Sequence, residues 1–252
     1  MNLLTISNTK TLRGEGKGYL TGVLHLAPAD TSGQDVCPWR SPGCTAGCLT
    51  YAGHGGISKG RATMLAPGGF EIPDNAVQRA RLARTEAFFK RREWFVEQLT
   101  VEIQRLDRAA ERKGAALAIR LNGTSDIPWE RVAPYLFSVF PHVRFYDYTK
   151  SLTRVLAWAG GKLPVNYHLT FSRSEQNADE VCGKAYDAGV NVAVVYAARP
   201  MLVANTPAYY SPDTPSIDGD ADDLRFLDPH GIVALKAKGR ALRDATGFVY
   251  RG

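Results

Sequence analysis

The chain has 252 residues, 44 % of them hydrophobic and 22 % charged, a balance ordinary for a globular protein with a proper core. No apolar run is long enough to cross a bilayer, so no membrane partner is expected, and the length fits one domain as large as an α/β barrel. The formal charge of +6 turns the expected partners towards anions, with nucleic acid or nucleotides among them, although solvated helix faces account for part of the excess.

Gly14, Gly16 and Gly18 place a turn before residues 19–26, which read as a first strand. The chain then runs without a regular pattern through 27–74, past Ala52-Gly53-His54-Gly55-Gly56 and Ala66-Pro67-Gly68-Gly69. A loop of that length in a compact domain implies a function or a metal to organise it. Asp74 caps a helix expected over 75–92. From Phe95 onwards Leu99, Ile103, Leu106 and Ala110 mark one face of a second helix, which Gly114 stops. Strands are predicted at 117–121, 143–148, 167–171, 191–196 and 231–235, alternating with helices at 128–140, 151–159 and 175–188. Strand–helix alternation implies a parallel sheet. The expectation is one α/β domain over 1–252, a partial (β/α)6 barrel with a cysteine-rich loop after its first strand. An open doubly wound parallel sheet is the alternative. Residues 27–74 form the metal-binding loop region, and 200–230 form an irregular insertion rich in proline and aspartate.

Cys37, Cys44 and Cys48 share the stretch CPWRSPGCTAGC, in which Gly43 and Gly47 permit tight turns. Three thiols in such a loop make a poor core and a natural wrap for one metal centre with an open coordination position. The residues alone leave a [4Fe–4S] cluster and zinc both open, zinc recruiting His54 or His25 as a fourth ligand. The separations of six and then three residues match neither a zinc ribbon nor the common ferredoxin run. The opening MNLLTISNTK lacks the basic-then-apolar character of a secretion signal, so a reducing, cytoplasmic setting without disulfides is expected. Cys182, within a helical pattern, reads as packing, and His168, within a strand, as structural.

Polar residues recur where predicted strands end, the working rim of parallel β/α folds. Asn122, Gly123, Thr124, Ser125 and Asp126 follow one strand, and Asp147, Tyr148 and Lys150 close the next. Ser172, Arg173, Ser174 and Glu175 follow another, with Arg199, Lys236 and Lys238 after the last two. Singly, each has a plain reading as a helix cap or exposed residue. Together they point to one pocket. Asp218, Asp220 and Asp223 lack the ligand order of a calcium loop and read as holding Arg225 or magnesium, or as solvating a turn. Arg79, Arg81, Arg84, Lys90, Arg91 and Arg92 make a basic stretch that reads first as a solvated helix face and second as a nucleic-acid groove.

The cysteine loop after the first strand, with a Gly-containing polar loop after the second, resembles the radical S-adenosylmethionine enzymes. The resemblance implies Cys37, Cys44 and Cys48 as ligands of a [4Fe–4S] cluster whose remaining iron binds S-adenosylmethionine. It also implies Asn122 to Asp126 beside the methionine moiety, Ser172 and Arg173 near the ribose and carboxylate contacts, and an electron donor as partner. The cysteine spacing departs from that superfamily's usual, tighter pattern. Over nearly the whole chain, HLAPAD, CPWRSPGCTAGCL, QRARLART, RLNGTSDIPWE, FYDYTKS, NYHLTFSRSE and IDGDADDLRFLD resemble the blocks of a phage-encoded family of unassigned activity, the gene-product-eighty-eight type. That resemblance implies a phage or prophage origin and no particular chemistry. The expectation is an iron–sulfur enzyme in which Asp147, Tyr148, Lys150, Arg173 and Lys236 are candidates to position an unknown substrate. The alternatives are a zinc-stapled nucleic-acid-binding protein and a phage structural or host-interaction protein without catalysis.

Overall fold

The computed structural model describes residues 1–6, 13–177, 179–197 and 214–251. Arg199 and the 200–213 part of the expected insertion lie outside the described residues. After β1 (Leu4–Thr5) and β2 (Tyr19–Leu24) come the short helices α1 (Ala29–Ser32) and α2 (Pro42–Ala46) and a hairpin of β3 (Thr63–Leu65) and β4 (Glu71–Pro73). The helices α3 (Ala76–Lys90) and α4 (Arg92–Arg112) lead into β5 (Ala116–Arg120). Then follow α5 (Trp129–Val132), α6 (Tyr135–Val139), β6 (Arg144–Thr149), α7 (Leu152–Ala159), β7 (Tyr167–Ser172), α8 (Asp179–Asp187), β8 (Val192–Tyr196), β9 (Ser216–Asp218) and β10 (Ile232–Lys236).

Eight strands form one sheet in the order β1-β2-β5-β6-β7-β8-β10-β9. From β2 to β10 the six central strands are parallel and lie in chain order. From β2 to β8 each crossover therefore steps the same way, and right-handed crossovers then put those connecting helices on one face. A doubly wound sheet reverses direction at a switch point. No reversal occurs from β2 to β8, so that part of the open sheet is singly wound. At one edge β1 is antiparallel, and at the other β9, which precedes β10 in the chain, lies outside it, so the last step turns back.

Period-2 alternation divides the strand residues between two environments. Leu117, Ile119, Phe145, Leu169, Phe171, Val192 and Val194 pack with Phe95, Leu99 and Ile103 of α4 and Val155 of α7 in the main core. The stripe predicted from Phe95 is the buried face of α4, and Gly114 beyond it has the left-handed φ of 64° that ends the helix. At Gly22 a Cβ would stand 2.9 Å from Leu106 Cδ1, so glycine lets α4 lie close on β2. The opposite face is covered by the segment after β9. Leu224 packs on Ala118 and Tyr146, and Phe226 meets Tyr19 and Tyr146 edge-on. Arg120 Nη1 donates to both oxygens of Asp223, at 3.1 and 3.0 Å, and Tyr146 Oη donates to Asp223 at 3.2 Å.

Two predicted helices are shorter than expected. The 128–140 helix is two pieces, α5 and α6, parted at Ala133-Pro134, where proline has no amide to continue the ladder. The 175–188 helix starts only at Asp179 because Glu175 is engaged elsewhere. The aspartates also differ from expectation: Arg225 is held by Asp222 and Asp228, while Asp223 holds Arg120. Replacing Asp223 with Ala leaves the Arg120 guanidinium buried without its counter-charge, and urea unfolding should show a loss of about 3–5 kcal/mol. Adding Arg120→Met should recover part of that loss, and a single-variant loss below about 1 kcal/mol would mean the pair is solvated.

Candidate functional site

At the carboxyl ends of the central strands lies a cavity of about 210 Å3, lined by Cys37, Cys44 and Cys48 together with the 122–126 loop, Tyr148, Lys150, Ser172 and Lys236. Residues distant in sequence thus meet because each follows, or ends, a parallel strand. The three thiols approach the cavity from three separate apolar seats. Cys37 packs against the main core, Cys44 against Ala237, Ala241 and Phe248, and Cys48 against Tyr51, Ala66 and Ile72. Among the described residues, no three His, Cys, Asp or Glu side chains meet closely enough to hold a single ion.

The loop carrying the thiols is fixed by a carboxylate from the segment after β7. Glu175 accepts from Gly43 N at 2.6 Å and from Ser41 Oγ at 2.7 Å, and Ser41 Oγ accepts from Cys44 N at 3.2 Å as the N-cap of α2. Charge-assisted bonds of this kind contribute about 1.5–3 kcal/mol each. Gly43 is required there, since a Cβ would stand 2.1 Å from Thr246 Oγ1 and 2.6 Å from Phe248 Cβ. Arg81, buried on α3, donates to Thr50 O at 2.9 Å and so holds the chain just beyond Cys48.

The 122–126 loop is internally satisfied. Asn122 accepts from Ser125 Oγ and Ile127 N through Oδ1, and donates to Ile127 O and Asp147 Oδ2 through Nδ2. Thr124 Oγ1 donates to Leu26 O, and Asp126 is bound to Arg154 at 2.8 Å. At Gly123 a Cβ would stand 2.7 Å from Leu24 O, so only glycine lets the loop lie against β2. Cys37 Sγ faces Thr124 O at 3.9 Å. Burial pushes the Cys37 thiol well above its ordinary value and the Cys48 thiol up to about 12. Coordination to a metal reverses that preference, because the ion's charge stabilises the thiolate directly.

Of the five substrate-positioning candidates, Tyr148, Lys150 and Lys236 line the cavity and Asp147 and Arg173 do not. Asp147 shares the strand face of Phe145 and is fully buried, accepting from Asn122 N at 2.7 Å and Tyr167 Oη at 2.7 Å. Burial pushes its carboxyl up to about 7, and its place is under the loop rather than in the cavity. Arg173 turns to the C-terminal tail, donating to Gly247 O at 3.0 Å. Tyr148 lies beneath the Arg120 guanidinium at 4.7 Å. Neither His25 nor His54 lines the cavity. Cys182 is buried in the core, and His168 packs edge-on against Trp158. The predicted basic stretch has partners within the fold: besides Arg81, Arg79 binds Asp74, Arg84 binds Asn2 O, Lys90 binds Glu86, and Arg91 and Arg92 lie over Trp94 and Phe88.

The family model described as Gene product 88 matches residues 2–252. The chain belongs to the Gene product 88 family. No curated protein and no solved structure matches it. In this family member Glu175 as a loop anchor and Phe248 as a cavity wall are functional-site residues without a pattern in the sequence. Glu175 sits 134 residues from Ser41, so no local pattern connects them. The only hint in the sequence was a carboxylate immediately after a strand-end Ser-Arg-Ser.

Enclosure holds His25 down to about 3, with Arg81, Arg120 and Arg84 adding repulsion. The folded protein therefore binds fewer protons here than the unfolded chain below about pH 6.5, and stability falls on acidification. Between pH 7 and pH 5 the stability gap between wild type and His25→Gln should shift against the wild type by about 2 kcal/mol, read from urea midpoints. An unchanged gap would show that His25 titrates normally.

Proposed function

We propose that this chain is an iron–sulfur enzyme, radical-SAM-like in the siting of its cluster, acting on a small anionic substrate. The observation that carries the reading is the single cavity framed by Cys37, Cys44 and Cys48 at the strand ends. Thiols held in three separate seats around a cavity suit a multi-iron cluster, whose ligated irons are distinct corners, better than a point-like ion. A [4Fe–4S] cluster with one open iron supplies one-electron chemistry or Lewis acidity at that position.

The chain's own residues do the rest. Glu175 and Ser41 hold the ligand loop in place, which keeps the order of the site independent of substrate. Val195, Leu235, Ala241 and Phe248 give the cavity an apolar wall, with Leu49 exposed at its edge. The 122–126 loop presents backbone rather than side chains, since its polar side chains are bonded among themselves or to Leu26, Asp147 and Arg154. Its position after β5 is that of the S-adenosylmethionine contact in the enzymes it resembles, and S-adenosylmethionine is the proposed co-substrate. An electron donor is then a required partner.

Anaerobic purification with iron, sulfide and zinc analysis tests the reading. The wild type should be brown with about four irons and matching sulfide, and Cys44→Ala should lose most of both while Cys182→Ala keeps them. A colourless wild type carrying stoichiometric zinc, or no metal after anaerobic reconstitution, would defeat it.

A further inference from the structure

The charges around the cavity do not cancel locally. Its carboxylates are engaged by cations other than Lys150: Asp126 by Arg154, Asp223 by Arg120, and Asp220 by Lys238. Arg40, at the edge, is bound to Asp35. Lys150 is different. Its Nζ donates to Ser172 Oγ at 3.0 Å, while no carboxylate is within ion-pair distance among the described residues.

This ammonium group is set by the sheet. Lys150 directly follows β6, where the alternation that sends Tyr146 and Tyr148 away from the helices sends Lys150 the same way. Its backbone amide is tied to Asp126 Oδ2 at 3.0 Å, and Ser172 ends the neighbouring parallel strand β7. The Phe248 ring stands 5.7 Å from Nζ and shields it on another side. A lysine ammonium has three donors, and Ser172 takes one of them. The ammonium therefore has donors to offer an anion that enters the cavity, where charge-assisted hydrogen bonds are the stronger kind.

We propose that Lys150 and Ser172 form a binding subsite for the carboxylate or phosphate group of a small-molecule ligand seated in the cavity. The subsite rests on the reading of the cavity as the reactive site, and it names the chemistry by which that site selects its ligand. Lys236 stands exposed at the rim and draws anions towards the opening. The ligand is therefore a compact organic anion, oriented with its charged group towards β6 and β7 and its remainder towards the cysteines.

The test is acylation of lysines with a limiting amine-reactive ester, mapped by mass spectrometry on the anaerobically purified protein. Inorganic phosphate and acetate are compared with chloride at equal ionic strength. Phosphate or acetate should protect Lys150 saturably while leaving the exposed Lys184 of α8 unaffected. Whichever anion protects at lower concentration identifies the group. Lys150→Met should weaken that anion's stabilisation of the fold by about tenfold or more, the value of one charge-assisted hydrogen bond, and Lys150→Arg should retain part of it. Equal slowing at Lys150 and Lys184, or no protection by either anion, overturns the proposal. So does a Lys150→Met protein that loses metal while the wild type shows no protection, since Lys150 would then be the counter-charge of the thiols. The labelling uses wild-type protein, so a variant that fails to fold leaves the test intact. Protection in a metal-free protein would support the subsite and count against the cluster, and an iron-loaded protein without protection would do the reverse.

Discussion

The site depends on one carboxylate. Glu175 reaches from the end of β7 to the amide of Gly43 and the hydroxyl of Ser41, and through Ser41 to the amide of Cys44. Without it, the loop between β2 and α3, held farther on by Arg81 at Thr50, would lose its tie at Ser41 and Gly43. With it, the loop is joined across the strand ends to the element that also supplies Ser172. Gly43 makes the join possible by admitting Thr246 and Phe248 at distances no side chain would allow. The C-terminal tail, the cysteine loop and the β7 end therefore form one packed rim.

The sheet supplies the rest of the geometry. Because the six central strands run in chain order, their carboxyl ends open on the same side, and a residue just after each strand adds to one wall. The two faces of the strands have different tasks. One packs on α4 and α7 as an apolar core. The other carries Arg120, Tyr146 and Tyr148, and it is stable only because Asp223 and the aromatic Phe226 arrive from a segment late in the chain. A buried guanidinium needs its counter-charge, so the aspartate-rich passage is structural, and the floor of the cavity is an ion pair rather than a hole.

Much of this was legible in the residues. The alternation of β-branched runs with 3.6-residue apolar patterns locates the six parallel strands, and the clustering of three cysteines with strand-end polar residues locates the cavity. Asp147 shows what a closer reading gives: it has the same parity as Phe145, so a strand through both puts it under the core face, opposite Tyr148 and Lys150. Other features carry no local signal. The edge strands β1 and β9, of two and three residues, are too short for any period to register. The hairpin of β3 and β4 is hidden in a glycine-rich tract, and the Glu175–Ser41 and Asp223–Arg120 contacts join residues more than a hundred positions apart.

The most direct test of the central claim is electron paramagnetic resonance of the anaerobically reconstituted, dithionite-reduced protein, recorded with and without S-adenosylmethionine. The account predicts the signal of a reduced [4Fe–4S] cluster that changes shape when S-adenosylmethionine is added, because one iron is open to a ligand. A cluster signal indifferent to it would contradict the open position, and the absence of any iron–sulfur signal would contradict the account as a whole.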